Sequence, residues 1–193
     1  CIEINVRQHL KGDVLREITS KVERCRSKMD DEKLYLALVG EFSSGKSTFI
    51  NALLGFRLLK EAVMPTTACA TYIQSKGKIL TINVSFFDGC KFKASSNDFK
   101  GVASYLESTY KVVRTSLLEI IEDLTSDQKI ARTVKELEIF VPNANIPRNV
   151  VLIDTPGFNP GAVSVDNHYE ITKHVVEEIA DAALILTPQE QAM

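Results

Sequence analysis

LYLALVGEFSSGKSTFINALLG, residues 34–55, carries three local patterns in succession. Leu34 to Val39 form a short, nearly unbroken apolar run, as expected of a strand covered on both faces. Gly40 to Ser47 are mostly small or polar and read as a loop. Thr48 to Leu54 predict a helix, with Gly55 placed to end it as the C-cap. Strand, glycine-rich loop and helix, in that order, open a nucleotide-binding α/β sheet.

Within this stretch Gly40-Glu41-Phe42-Ser43-Ser44-Gly45-Lys46-Ser47 satisfies GxxxxGK[ST] at every fixed position. The spacing has a chemical reason. Gly40 and Gly45 let the backbone wrap a β-phosphate, so that successive N–H groups and the helix N-terminus point at negative charge. Lys46 adds a point charge at the β- and γ-phosphates, and the Ser47 hydroxyl is the expected Mg²⁺ ligand. The expected nucleotide-contacting run is Gly40 through Thr48, with Glu41, Phe42, Ser43 and Ser44 inside it.

Val150 to Asp154 reads as a second buried strand, and it ends in Asp154-Thr155-Pro156-Gly157. Asp154 at a strand's carboxyl end can reach Mg²⁺ directly or through water, and Gly157 can offer an unobstructed N–H to a γ-phosphate. A lone DxxG is a weak signal, but downstream of a P-loop and after an apolar strand it reads as a switch. Between the two motifs, Pro65-Thr66-Thr67-Ala68 offers a hydroxyl that could close over Mg²⁺ while the γ-phosphate is present. Thr67 is the preferred ligand over Thr66, and a Thr-rich loop leading into a strand is the plain alternative.

The rest of the chain continues the α/β pattern. An amphipathic helix is expected in the first thirty or so residues, from the spacing of Ile4, Leu10, Val14, Leu15, Ile18 and Val22. Strands are expected at 80–86, where apolar and polar residues alternate, and at 90–94, joined by an Asp88-Gly89 hairpin turn. Helices are expected at 97–108, 116–124 and 167–180, and strands at 134–141, closed by Pro142, and 182–187. This order predicts a P-loop α/β domain at 34–193, a mostly parallel central sheet flanked by helices with one antiparallel excursion. Residues 1–33 form an N-terminal helical segment, either covering an edge of the domain or belonging to a neck or stalk. With no initiator Met before Cys1, the chain reads as an excerpt from something longer.

Composition narrows the function classes. The 193 residues are 45% apolar and 25% charged, with a formal net charge of −2, so a clustered basic footprint for nucleic acid is not expected. Cys1, Cys25, Cys69 and Cys90 are widely spaced and support neither a zinc site nor a redox motif. His9, His168 and His174 are scattered and read as solvated or packed. No apolar run approaches the roughly 20 residues needed to span a bilayer, and a reducing cytoplasm is the expected setting.

The segments GEFSSGKSTFINALLG (40–55), MPTTACAT (64–71) and VVLIDTPGF (150–158) together resemble the GTPase domain of the dynamin superfamily, above all its bacterial dynamin-like branch. The resemblance runs from about residue 34 to 193. It implies GTP and GDP as ligands with Mg²⁺, Lys46 and Ser47 as P-loop ligands, Thr67 as the switch I threonine, and Asp154 and Gly157 as the switch II pair. Ser43 matches the serine that in dynamins helps hold a charge-compensating monovalent cation at a dimer interface. Lys46, Ser43 and Thr67 are therefore the expected catalytic residues.

The resemblance further implies a homodimer through the nucleotide face, membrane lipid engaged through regions outside this chain, and a cytoplasmic, peripheral-membrane setting. The long stretch between Lys46 and Asp154 exceeds that of a minimal Ras-like domain, as the dynamin group implies. Two departures bear on rate: dynamins that hydrolyse quickly carry Gln where this chain has Phe42, and Ras-like proteins carry Gln where it has Phe158. Neither ring can orient a water by hydrogen bonding. Guanine is implied by the resemblance alone, because the Asn/Thr-Lys-x-Asp element that reads the base follows the next strand, past Met193. An Era-like regulatory or ribosome-associated switch and a slowly hydrolysing, GTP-dependent assembly scaffold are the competing readings, with an ATPase or kinase behind them.

Overall fold

The computed structural model describes residues 16, 19, 20, 32–60, 69–142, 144–157 and 168–187. The chain divides into two compact units, Cys1–Lys33 and Leu34–Met193. In the first, Arg16, Thr19 and Ser20 are helical; the six apolar positions that predicted a helix there lie outside the described residues.

The second unit is an α/β domain. Its described elements are β1 (Leu34–Gly40), α1 (Lys46–Leu54), β2 (Thr71–Ser75), β3 (Thr81–Phe86), β4 (Lys91–Ser95), α2 (Lys100–Tyr110), α3 (Leu117–Ser126), α4 (Gln128–Ala131), β5 (Val134–Val141), β6 (Val150–Asp154), α5 (His168–His174), a π-helical turn (Val175–Ile179) and β7 (Ala182–Leu186). The seven strands form one sheet in the order β4-β3-β5-β2-β6-β1-β7.

β1 is apolar along its length because it is buried on both faces. Leu38 turns to the main core with Ile50 and Leu54 of α1, Ile120 and Leu124 of α3 and Leu152 of β6. Its neighbour Ala37 turns the other way, to a smaller core with Ile153 and Val175. That two-sided cover anchors the strand end from which the P-loop leaves, since each fully buried Leu or Ile contributes about 1.5–3 kcal/mol.

Antiparallel pairing reaches further than the single expected excursion. β1 runs parallel to β6 and β7, and β2 parallel to β5, but β2–β6, β3–β4 and β3–β5 are antiparallel. The hairpin turn forms as expected, with Gly89 at φ 91° and the Cys90 N–H donating to Asp88 Oδ1 at 2.9 Å. On α2, Tyr105 donates to Asp88 Oδ2 at 2.7 Å and packs its ring 4.6 Å from that of Phe86, fixing the hairpin against the core.

Two elements had little signal in the sequence. β2 buries Thr71, Gln74 and Ser75, so its strand character is hidden behind polar residues. α4 is a single turn, capped by Asp127 Oδ1 accepting from the N–H groups of Lys129 and Ile130 at 2.9 and 3.1 Å.

Candidate functional site

Parallel strands β6, β1 and β7 deliver their carboxyl ends to one edge, where open α/β sheets place their ligands. β1 ends in Gly40, and the loop from Glu41 to Gly45 leads straight into α1. The helix starts at Lys46, two residues earlier than the apolar pattern indicates, because Gly45 takes φ 88° and ψ 16° and turns the chain directly into it. A Cβ at Gly45 would meet nothing within 4 Å, so conformation and not space requires glycine there. Ser43 also has positive φ, 60°, a conformation costly for a residue with a side chain.

Gly40 also has a steric requirement within the fold. A Cβ on it would lie 2.3 Å from the carbonyl oxygen of Leu186 on β7 and 2.6 Å from Ser44 Oγ. Close approach of β7 keeps this position bare. Gly45, at the N-cap of α1, offers no side chain to accept from the first-turn N–H groups.

Lys46 is only 8% exposed and donates from Nζ to the carbonyls of Gly40 at 3.0 Å and Glu41 at 2.9 Å. Its ammonium is thereby folded back along the loop it serves. Burial holds its pKa below the ordinary lysine value, with the Asp154 charge opposing. Asp154 closes β6, paired with Leu38 of β1 on one side and Thr71 of β2 on the other. It is 3% exposed, and its Oδ1 has no hydrogen-bond partner. Burial lifts its carboxyl to about 7, outweighing the opposing pull of Lys46.

Between about pH 4 and 7 the folded protein keeps a proton on Asp154 that the unfolded chain has lost, so this group's share of stability falls as pH rises through that window and is constant above it. Ser44 Oγ and Thr71 Oγ1 are likewise buried without partners. Each such orphan costs about 1–3 kcal/mol unless a ligand satisfies it.

After Asp154 the chain is tied down. Thr155 Oγ1 donates to Leu38 O at 2.7 Å and Thr172 Oγ1 to Pro156 O at 3.2 Å, which pins the start of the DTPG segment to β1 and to α5. Gly157 then lies against the P-loop: a Cβ there would fall 2.9 Å from Phe42 Cα, 3.0 Å from Phe42 N and 3.2 Å from Lys46 Nζ. The two motifs, more than a hundred residues apart in the chain, therefore touch backbone to backbone.

Of the residues expected in the site, Gly40, Glu41, Phe42, Ser43, Ser44, Gly45, Lys46, Ser47, Thr48, Asp154 and Gly157 are described, and Lys46, Phe42, Asp154 and Gly157 are brought together. Thr66, Thr67 and Phe158 lie outside the described residues. Asn51 is a residue the motifs missed. Its Oδ1 accepts from the N–H groups of Leu58 and Leu59, both at 2.9 Å, and its Nδ2 donates to Leu59 O at 2.8 Å, so α1 holds the chain that leads into the Pro65-Thr66-Thr67 segment. Its only sequence signal was an Asn inside a helix, a residue whose side chain readily bonds to backbone groups.

The orphaned carboxylate oxygen of Asp154 and the Ser47 hydroxyl are hard oxygen donors suited to Mg²⁺, which takes one or two protein ligands and completes its shell with phosphates and water. Among the described residues no group of three or more His, Cys, Asp or Glu side chains could hold a metal unaided.

Residues 36–193 match the family model described as Dynamin family. The chain is 25% identical over 163 residues to Dynamin-like protein A of Bacillus subtilis (strain 168), covering 84% of this chain and 11% of that protein. A shorter segment of 43 residues is 60% identical to the "Probable transmembrane GTPase FZO-like, chloroplastic" of Arabidopsis thaliana, 22% of this chain and 5% of the other. One solved structure, of an oligomerised bacterial dynamin pair described as sensing and tethering membranes at long range, matches with TM-score 0.49 and 19% identity over 88% of this chain and 24% of that one. The chain spans about a third or less of the length of the relatives it matches.

Proposed function

The chain belongs to the dynamin family, and from that premise we propose that it binds GTP with Mg²⁺ and hydrolyses it to GDP and phosphate, as the motor of a protein that tethers or remodels membranes. The observation that carries this is the meeting of Lys46, Asp154 and Gly157 at the carboxyl ends of β1 and β6. A γ-phosphate reaching the P-loop would contact the switch II backbone at the same point. Lys46 would leave the Gly40 and Glu41 carbonyls for the phosphates, a charge-assisted exchange that favours the bound state. Ser47 and Asp154 would hold Mg²⁺, which when bound neutralises phosphate charge; Thr67, with Thr66 as the lesser candidate, would complete the set. The guanine base comes from family membership.

Phe42 and Phe158 cannot orient a water, so the isolated domain is expected to turn over slowly. Dimerisation across the nucleotide face, with Ser43 helping to hold a monovalent cation there, would supply the missing order or charge. Membrane lipid would be met through parts of the protein outside this chain; among the described residues no helix is long and apolar enough to cross a membrane. A cytoplasmic protein that binds membranes peripherally fits this reading. The Phe42 substitution also favours a second reading, a GTP-dependent scaffold that scarcely hydrolyses.

The test is GTP hydrolysis by the intact protein with and without anionic liposomes, with ATP in parallel. Stimulation by liposomes confined to GTP is the expected result, with turnover per protomer rising as protein concentration is raised a hundredfold. A flat, low rate under all these conditions favours the scaffold, and equal use of ATP overturns the guanine assignment.

Gly157→Ala probes the switch contact separately. The added methyl meets backbone atoms of Phe42, which no rotamer change can move away, so the segment must back off and its N–H is lost to the γ-phosphate. The expected result is GDP affinity near wild type and GTP affinity weaker by about tenfold or more, the value of a hydrogen bond to a charged group. Equal weakening of both nucleotides would show that Gly157 serves the fold and not the γ-phosphate.

A further inference from the structure

Thr71 is fully buried, carries an unpartnered hydroxyl, and was assigned no role by any motif. It lies directly across from Asp154 in the antiparallel β2–β6 pair. Residues so opposed project from the same face of the sheet, with Cβ atoms about 4.5–5.5 Å apart. One carboxylate oxygen of Asp154, Oδ1, is also buried and unpartnered. Two orphaned polar atoms on adjacent strands, one a hydroxyl donor and the other a carboxylate acceptor, are complementary in chemistry. Left apart, both are costly.

Resting on the Mg²⁺-nucleotide reading above, we propose that Thr71 is a positioning residue for the metal site: when Asp154 is ionised opposite the cation, the Thr71 hydroxyl donates to its carboxylate and fixes which oxygen faces the metal. Metal-ligating carboxylates are generally held by such hydrogen bonds, and their loss costs about 10–100-fold in metal affinity.

The experiment compares wild type, Thr71→Val and Thr71→Ser, using Mn²⁺ as the metal probe in the GDP complex and counting free Mn²⁺ by electron paramagnetic resonance. Thr71→Val keeps the shape of the side chain and removes the hydroxyl. Mn²⁺ affinity should fall by about tenfold in Thr71→Val and stay within about twofold of wild type in Thr71→Ser. GDP affinity in EDTA should be the same in all three, and the metal-free Thr71→Val protein should melt no earlier than wild type, because no hydrogen bond is lost. In an Asp154→Asn background, Thr71→Val should change Mn²⁺ affinity no further, as coupling through that carboxylate requires.

Unchanged Mn²⁺ affinity in a folded Thr71→Val protein overturns the proposal and leaves the nucleotide reading intact. A parallel loss of melting temperature and of GDP affinity in EDTA overturns it in favour of a packing role. A wild-type protein that shows no metal-dependent nucleotide binding overturns both readings together.

Discussion

Lys46→Ala should lower GTP turnover by about 10²–10³-fold, the usual consequence of removing a preorganised electrostatic partner of a transferring phosphoryl group, while the domain stays folded. The two halves of this expectation have separate causes. Lys46 sits almost wholly buried on the P-loop, held by the Gly40 and Glu41 carbonyls, and burial has already pushed its pKa down. Its charge is thus carried at a cost to the ligand-free protein, and the core beneath it, built on Leu38, Ile50 and Leu54, is apolar and independent of it. Phosphate release and thermal melting, measured side by side, check both halves. Turnover near wild type would remove Lys46 from the mechanism; a cooperative melt lost altogether would make it a structural residue instead. Lys46→Met, which keeps most of the stem, separates lost charge from lost packing.

Asp154→Asn should weaken, without abolishing, the Mg²⁺ dependence of nucleotide binding and reduce turnover by about a hundredfold or more, yet leave the metal-free protein at least as stable as wild type at pH 8. The carboxyl is raised to about 7 although Lys46 pulls the other way, so burial outweighs ion pairing and the neutral side chain is the better tenant when no metal is present. The variant should also flatten the part of the stability profile between about pH 4 and 7 that belongs to this group, where wild type loses stability with rising pH. Melting curves at several pH values in EDTA test this. A variant distinctly less stable than wild type at pH 8 would mean that the Lys46–Asp154 attraction outweighs burial after all.

Local patterns in the chain were read correctly where one short segment carried the whole instruction. β1, the P-loop, α1 with its Gly55 cap, the Asp88-Gly89 hairpin and the apolar strand ending at Asp154 are all present where expected, to within a residue or two. β2 escaped because buried Thr71, Gln74 and Ser75 break the apolar pattern that marks a strand. Buried polar residues are legible only once their neighbours are known. The extent of antiparallel pairing was hidden for a related reason, since strand direction is a property of pairs and no single strand records it.

The same division runs through the site. Amino-acid order alone determined that this protein has a P-loop with its lysine and serine, a strand-ending aspartate in a DTPG segment, and the α/β layering that brings strand ends together, because each depends on residue types at short spacing. Only the tertiary structure decided that Gly40 must be bare for the carbonyl of Leu186, that Gly157 touches Phe42, that Asn51 holds the chain ahead of Thr66 and Thr67, and that Thr71 faces Asp154. Each of these is an approach between atoms far apart in the chain. Such distances are set by packing the whole sheet and its helices at once, and no local run of residues encodes them.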